Sequence, residues 1–137
     1  MVRIIKGNLH RDDRGRLYYN NDFDASGIKR IYYIENNDTE FKRGWQGHKI
    51  EQRWFSAVSG SFIIHLIKID EWDSPSHDLK SESFELTSDA LNVLHVPAGY
   101  ATSIQAISHD SKLLVMADYF LGELKDDYRY DINYFKD

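Results

Sequence analysis

Cysteine is absent from this chain, which excludes disulfides, zinc-thiolate sites and thiol nucleophiles and fits a reducing compartment. Proline occurs only twice and no Ser/Gly tract is present, so no linker divides the 137 residues, and residues 1–137 are expected to form one domain. Long apolar runs are missing as well. No segment approaches the roughly 20 residues needed to span a bilayer, and Met1-Val2-Arg3-Ile4-Ile5-Lys6 opens no targeting segment. A cytoplasmic protein without membrane contact is the expectation. Basic charge is in short supply: 17 Lys and Arg face 22 Asp and Glu for a net charge of -5, so nucleic acid is not an expected partner. One or two arginines in a cleft would still hold a small phosphate.

What the chain does have is strand periodicity and many aromatics, 14 % of residues with nine tyrosines, a composition suited to sheet faces and stacking surfaces. Residues 29–34, 53–58, 61–69, 90–96 and 112–117 are short, rich in β-branched or aromatic side chains, and separated by polar turns. Ser59-Gly60-Ser61 reads as a tight hairpin, and Asp12-Asp13-Arg14-Gly15-Arg16 as a turn before Leu17-Tyr18-Tyr19. Helical signal is scarce. The tail from Leu121 to Asp131 holds at most one short irregular turn, and its charge reads as solvated surface. About seven or eight strands at this spacing predict an all-β sandwich or barrel.

Two motifs carry the chemistry: Arg43-Gly44-Trp45-Gln46-Gly47-His48 followed by Gln52-Arg53, and Val96-Pro97-Ala98-Gly99-Tyr100-Ala101-Thr102. Strand alternation puts Gln46 and His48 on one face. A lone imidazole with Gln46, Thr102 and either Gln52 or Arg53 is a poor donor set for a transition metal, so neither a metal nor another cofactor is expected. His48, with Arg43 and Arg53 nearby, has a reason to stay neutral near pH 7, as a general base must. The plainer alternative is a histidine that only hydrogen-bonds inside the fold. Arg53 either stabilises an enolate oxygen or a phosphate, or is a surface arginine at a strand end. His10, His77 and His109 fall in hydrophilic stretches, and His65 and His95 lie within strands; structural roles are expected for all of them. No Gly-rich phosphate loop, nucleophile elbow or paired-carboxylate motif occurs.

These motifs, with Asp13-Arg14-Gly15 near the start, Ile28 to Ile34, Val58-Ser59-Gly60-Ser61-Phe62, and Ala117-Asp118-Tyr119-Phe120 with Asp127-Tyr128 near the end, resemble the nucleotide-sugar epimerases and ketoisomerases of the cupin superfamily. That family includes dTDP-4-dehydrorhamnose 3,5-epimerases and dTDP-4-keto-6-deoxyhexose 3,4-ketoisomerases. The resemblance implies a cupin-type jelly-roll homodimer that binds a nucleotide sugar at the barrel mouth and moves a proton beside a ketone without metal. By position it assigns Arg14 and Arg43 to phosphate or substrate, Arg53 to the enolate oxygen, and His48 to the second histidine of the ketoisomerase His-x-His pair. Gln46 and Thr102 stand where the epimerases carry histidines and become substrate contacts. The family's acid tyrosine aligns with Phe120, or with Tyr119 after a shift of one residue, and Tyr119 is the candidate acid. A 3,4-ketoisomerase is the favoured reading; its alternatives are a nucleotide-sugar-binding protein without proton chemistry and a barrel serving only for oligomerisation.

Overall fold

Residues two apart along a strand share a face, and in this chain one such row after another is apolar. The computed structural model describes residues 1–136. On β7 (Ser61–Lys68) Phe62, Ile64 and Leu66 are buried, as are Leu113, Val115 and Ala117 on β11 (Lys112–Ala117). These rows bring two five-stranded antiparallel sheets face to face. One runs β1 (Arg3–Ile5), β9 (Val93–Val96), β6 (Arg53–Ser59), β11, β4 (Arg30–Ile34); the other runs β12 (Tyr128–Arg129), β5 (Lys42–His48), β10 (Tyr100–Ala106), β7, β8 (Glu82–Thr87). A separate hairpin, β2 (Asn8–Asp12) with β3 (Gly15–Tyr19), pairs with neither sheet. The expected all-β jelly roll of cupin type is what the chain forms, and no helix occurs among the described residues.

The strands among the described residues number twelve rather than seven or eight, because short segments gain strand geometry only from their neighbours. Tyr128 and Arg129 become β12 by pairing with Gly47 and Gln46. Between β6 and β7, Gly60 adopts φ 67°, and a Cβ there would collide with Ser111, so the predicted hairpin depends on glycine. No helix among the described residues is long and apolar enough to cross a membrane.

The inward rows change character toward one end. On β6 the row Ala57, Phe55 ends at Arg53; on β4 the row Ile34, Tyr32 ends at Arg30; Ala117 of β11 is the register partner of both arginines. Its small side chain is fully buried. Across the barrel, Gln46 pairs with Thr102 and His48 with Tyr100. Apolar core therefore gives way to a polar mouth.

Candidate active site

His48 ends β5 and is only 7 % exposed. Its Nδ1 lies 2.9 Å from the backbone carbonyl of Asp126. A carbonyl only accepts, so Nδ1 carries the proton and Nε2 is left as the basic nitrogen. Burial lowers the pKa of the imidazole, and the charge of Arg53 lowers it further, against the Asp126 hydrogen bond and the carboxylates of Glu51 and Asp126. Burial and Arg53 prevail over the opposing groups, so the balance favours the neutral ring.

Arg53, 6 % exposed, is fixed from two sides. Its Nη1 donates to the Tyr32 hydroxyl at 2.6 Å, and its Nη2 meets Glu51 at 3.2 Å. Its Nε is buried without a hydrogen-bond partner. Glu51 also lies 3.7 Å from His48 Nδ1, so His48, Glu51, Arg53 and Tyr32 form one continuous polar row.

Most of the tail's charge is exposed, as expected of a solvated surface, and Asp126 is the exception. Because β12 pairs onto β5, Asp127 and Arg129 reach the mouth and Asp126 is buried. Gln46 Nε2 donates to Asp127 Oδ1 at 2.9 Å, and Arg129 Nε donates to Asp127 Oδ2 at 3.0 Å. Burial opposes the charge on Asp127, but these hydrogen bonds outweigh it and hold the carboxyl below its usual range.

Two chambers open here. The inner one, about 180 Å³, is lined by His48, Glu51, Arg53, Tyr119, Phe120 and Asp127 among others. The outer one, about 670 Å³, is lined by Tyr32, Tyr33, Phe41, Arg43 and Tyr130. Arg30, Gln46 and Arg129 border both and form a collar between them. Arg30 stacks 4.5 Å from the Tyr32 ring and has no ion-pair partner among the described residues. The two chambers thus lie side by side, with Arg30 and Arg129 at their shared border.

Of the residues singled out from sequence, His48, Arg53, Gln46 and Tyr119 share the inner chamber, and Arg43 lines the outer one. Thr102 is buried beside Gln46 in register and lines neither chamber. Arg14 sits at the tip of the β2–β3 hairpin, bound to Asp12 at 2.7 Å, and lines neither chamber. Phe120 lines the inner chamber as well, so both aromatics considered for the acid position are present. Glu51, Asp126, Tyr32 and Arg30 went unremarked as site residues. Glu51 and Arg30 did carry a signal: each lies beside a recognised motif or at the end of a predicted strand.

His65 and His95 point away from the core, since their neighbours on each side face into it. His95 stacks on Trp54 and bonds to Gln52, while His65 bonds to Ser83. His48, Glu51 and Asp126 bring ligand-type atoms within 4.8 Å of one another. They do not suit a cation. The Asp126 oxygens accept backbone N–H groups of residues 49–51, Glu51 faces Arg53, and His48 Nδ1 is committed to a carbonyl.

No curated protein matches the chain. Among solved structures it is similar to the 3,4-ketoisomerase QdtA from Thermoanaerobacterium thermosaccharolyticum, one form of which is a complex with TDP-4-keto-6-deoxyglucose (26 % identity, 94 % of this chain and 87 % of that one, TM-score 0.73). It is similar also to the WlaRB TDP-quinovose 3,4-ketoisomerase of Campylobacter jejuni (25 % identity, 94 % and 92 % covered, TM-score 0.71). The RmlC epimerase of Mycobacterium tuberculosis shares the fold at 15 % identity (93 % and 68 % covered, TM-score 0.73). The model of the family described as FdtA, WxcM-like, C-terminal matches residues 1–137, and the chain belongs to that family.

Proposed function

We propose that the protein is a nucleotide-sugar 3,4-ketoisomerase acting on a TDP-4-keto-6-deoxyhexose by proton transfer without a metal. The observation that carries this reading is the buried, neutral His48, whose Nδ1 proton is held by a carbonyl so that Nε2 is the free base beside a chamber of about 180 Å³. In the reaction, Nε2 takes the hydrogen from C3, and electrons move into the C3–C4 bond and onto O4. Tyr119 supplies a proton to O4 and recovers one from O3, while His48 returns its proton to C4. The ketone has then moved from C4 to C3 with no net change in atoms. Arg53, held in place by Tyr32 and Glu51, stabilises the developing negative charge.

In this reading the sugar occupies the inner chamber and the nucleoside the outer one, with the diphosphate at the collar. Arg30 and Arg43 support that placement because neither has a carboxylate partner among the described residues. Gln46 supplies an amide contact. Arg14 becomes a substrate contact only in a homodimer, where a hairpin standing outside both sheets reaches the neighbouring copy; the exposed Leu17 and Tyr18 on that hairpin support such a contact. Thr102 acts beneath Gln46 and supports its position. A cytoplasmic enzyme working on a soluble sugar nucleotide fits this chemistry.

One observation favours the rival, a nucleotide-sugar-binding protein without catalysis: Gln46 accepts no proton, so among the described residues His48 is the only imidazole lining the inner chamber. The two are separated by incubating the protein with a TDP-4-keto-6-deoxyhexose in heavy water and following the ring protons by NMR. Exchange at C3 and appearance of the 3-ketone support the enzyme. Binding of TDP without exchange supports the rival.

A further inference from the structure

Asp126 is 4 % exposed and forms no ion pair among the described residues, yet it makes more polar contacts with the β5–β6 connection than any other side chain described. Its Oδ1 accepts the backbone N–H of Lys49 at 2.9 Å, and its Oδ2 accepts those of Ile50 and Glu51 at 2.9 and 2.7 Å. Its own carbonyl accepts the Nδ1 proton of His48. Main chain and side chain of one residue thus grip both ends of the segment from His48 to Glu51, and neither grip can shift without the other.

The consequence falls on the proton of His48. In water a neutral histidine side chain favours its proton on Nε2, the nitrogen a base must keep free, so the opposite tautomer needs a fixed acceptor at Nδ1. The other acceptor near Nδ1 is Glu51, at 3.7 Å and already paired with Arg53. A carbonyl tethered through its own side chain to three consecutive amides is such a fixed acceptor.

We propose that Asp126 is a positioning residue that sets the tautomer of His48, its carboxylate locking the 49–51 loop so that its carbonyl holds the Nδ1 proton and Nε2 stays free. The proposal rests on the ketoisomerase reading for its catalytic meaning, but the tautomer is measurable without substrate.

The test uses full-length protein labelled with ¹⁵N. Imidazole two-bond correlations at pH 8 should show His48 in wild type with a protonated Nδ1 and an unprotonated Nε2. In Asp126→Asn the amide turns a donor toward at least one N–H, so the loop loosens. His48 should then show averaged tautomer shifts, and C3 exchange should fall roughly 10- to 100-fold while TDP binding stays within about twofold. Asp126→Glu keeps the charge, displaces it by one methylene, and should fall between the two; it carries the test if the asparagine variant does not fold. A His48 that remains in the Nδ1–H form with exchange unchanged in the folded variants overturns the proposal, as does an Nε2–H tautomer in wild type. A wild-type protein with the Nδ1–H tautomer, lost in the variants, but no exchange on any TDP-4-keto sugar would instead sink the ketoisomerase reading and leave the positioning role standing.

Discussion

At His48 burial and Arg53 push the imidazole toward its neutral form, while the Asp126 carbonyl and two carboxylates pull the other way, and burial wins. His48→Gln removes the basic nitrogen but keeps a hydrogen-bonding side chain of similar reach. It should lower C3 exchange by about 10²- to 10⁴-fold with little change in TDP affinity, read by NMR exchange and by calorimetric titration. Gln46 offers the converse experiment. It already bonds to Asp127, a carboxylate held charged by its neighbours, so Gln46→His places a second imidazole against an orienting acid. That variant should gain exchange at a second ring carbon, detected as a new deuterated position. Arg30→Ala should weaken TDP binding by about 1.5–3 kcal/mol, the worth of a hydrogen bond to a charged group, while leaving the His48 tautomer untouched. His48, Gln46 and Arg53 were legible because they sit on adjacent strand ends within one motif. Asp126 was not, since it meets His48 across 78 residues, and nothing local in Lys125-Asp126-Asp127 tells which carboxylate will be buried.

Among the elements, those that bury a full apolar row could be read directly: residues 29–34, 53–58, 61–69 and 112–117 alternate or run apolar, and strands occupy 30–34, 53–59, 61–68 and 112–117. The segment predicted from Ala90 starts as a strand only at Val93, because the Asn92 side chain accepts the Gly7 N–H and its carbonyl accepts the Ser56 hydroxyl. Strands β1, β2, β8 and β12 escaped, the last two for opposite reasons. Strand β8, Glu82 to Thr87, is a polar edge strand whose alternation buries little more than Leu86. Strand β12 is two residues long and exists through its pairing with β5. Turn chemistry was easier to read. At the β6–β7 hairpin Gly60→Ala would force φ near +67° on a residue with a Cβ and drive that Cβ into Ser111, which itself bonds to the Ser61 amide. A loss of about 1–3 kcal/mol in urea denaturation is expected, with TDP binding preserved because the hairpin lies at the opposite end of β6 from Arg53.

For the whole molecule, two histidines with lowered pKa make stability depend on pH well above the carboxylate range. His48 is lowered chiefly by burial and then by Arg53, and His95 chiefly by burial and then by Arg3 and the N-terminus, both from a starting value of 6.5. Between that value and the lower folded one, the unfolded chain binds protons that the folded chain refuses, so unfolding free energy rises with pH across this window. Stability should be full above about pH 7 and fall as pH drops below 6.5, with proton uptake on unfolding. The lowered carboxyls of Asp12, Asp24 and Asp70 act in a separate window, below their ordinary 3.8, and cannot produce a loss near pH 6. Urea titrations at pH 7.5, 6.0 and 5.0 would resolve the histidine window, and His48→Gln combined with His95→Gln should flatten it. A wild-type profile that is level from pH 7.5 to 5.0 would mean that His48 gains its proton as readily in the folded protein as in the unfolded chain, and a base left neutral by burial would then no longer describe this site.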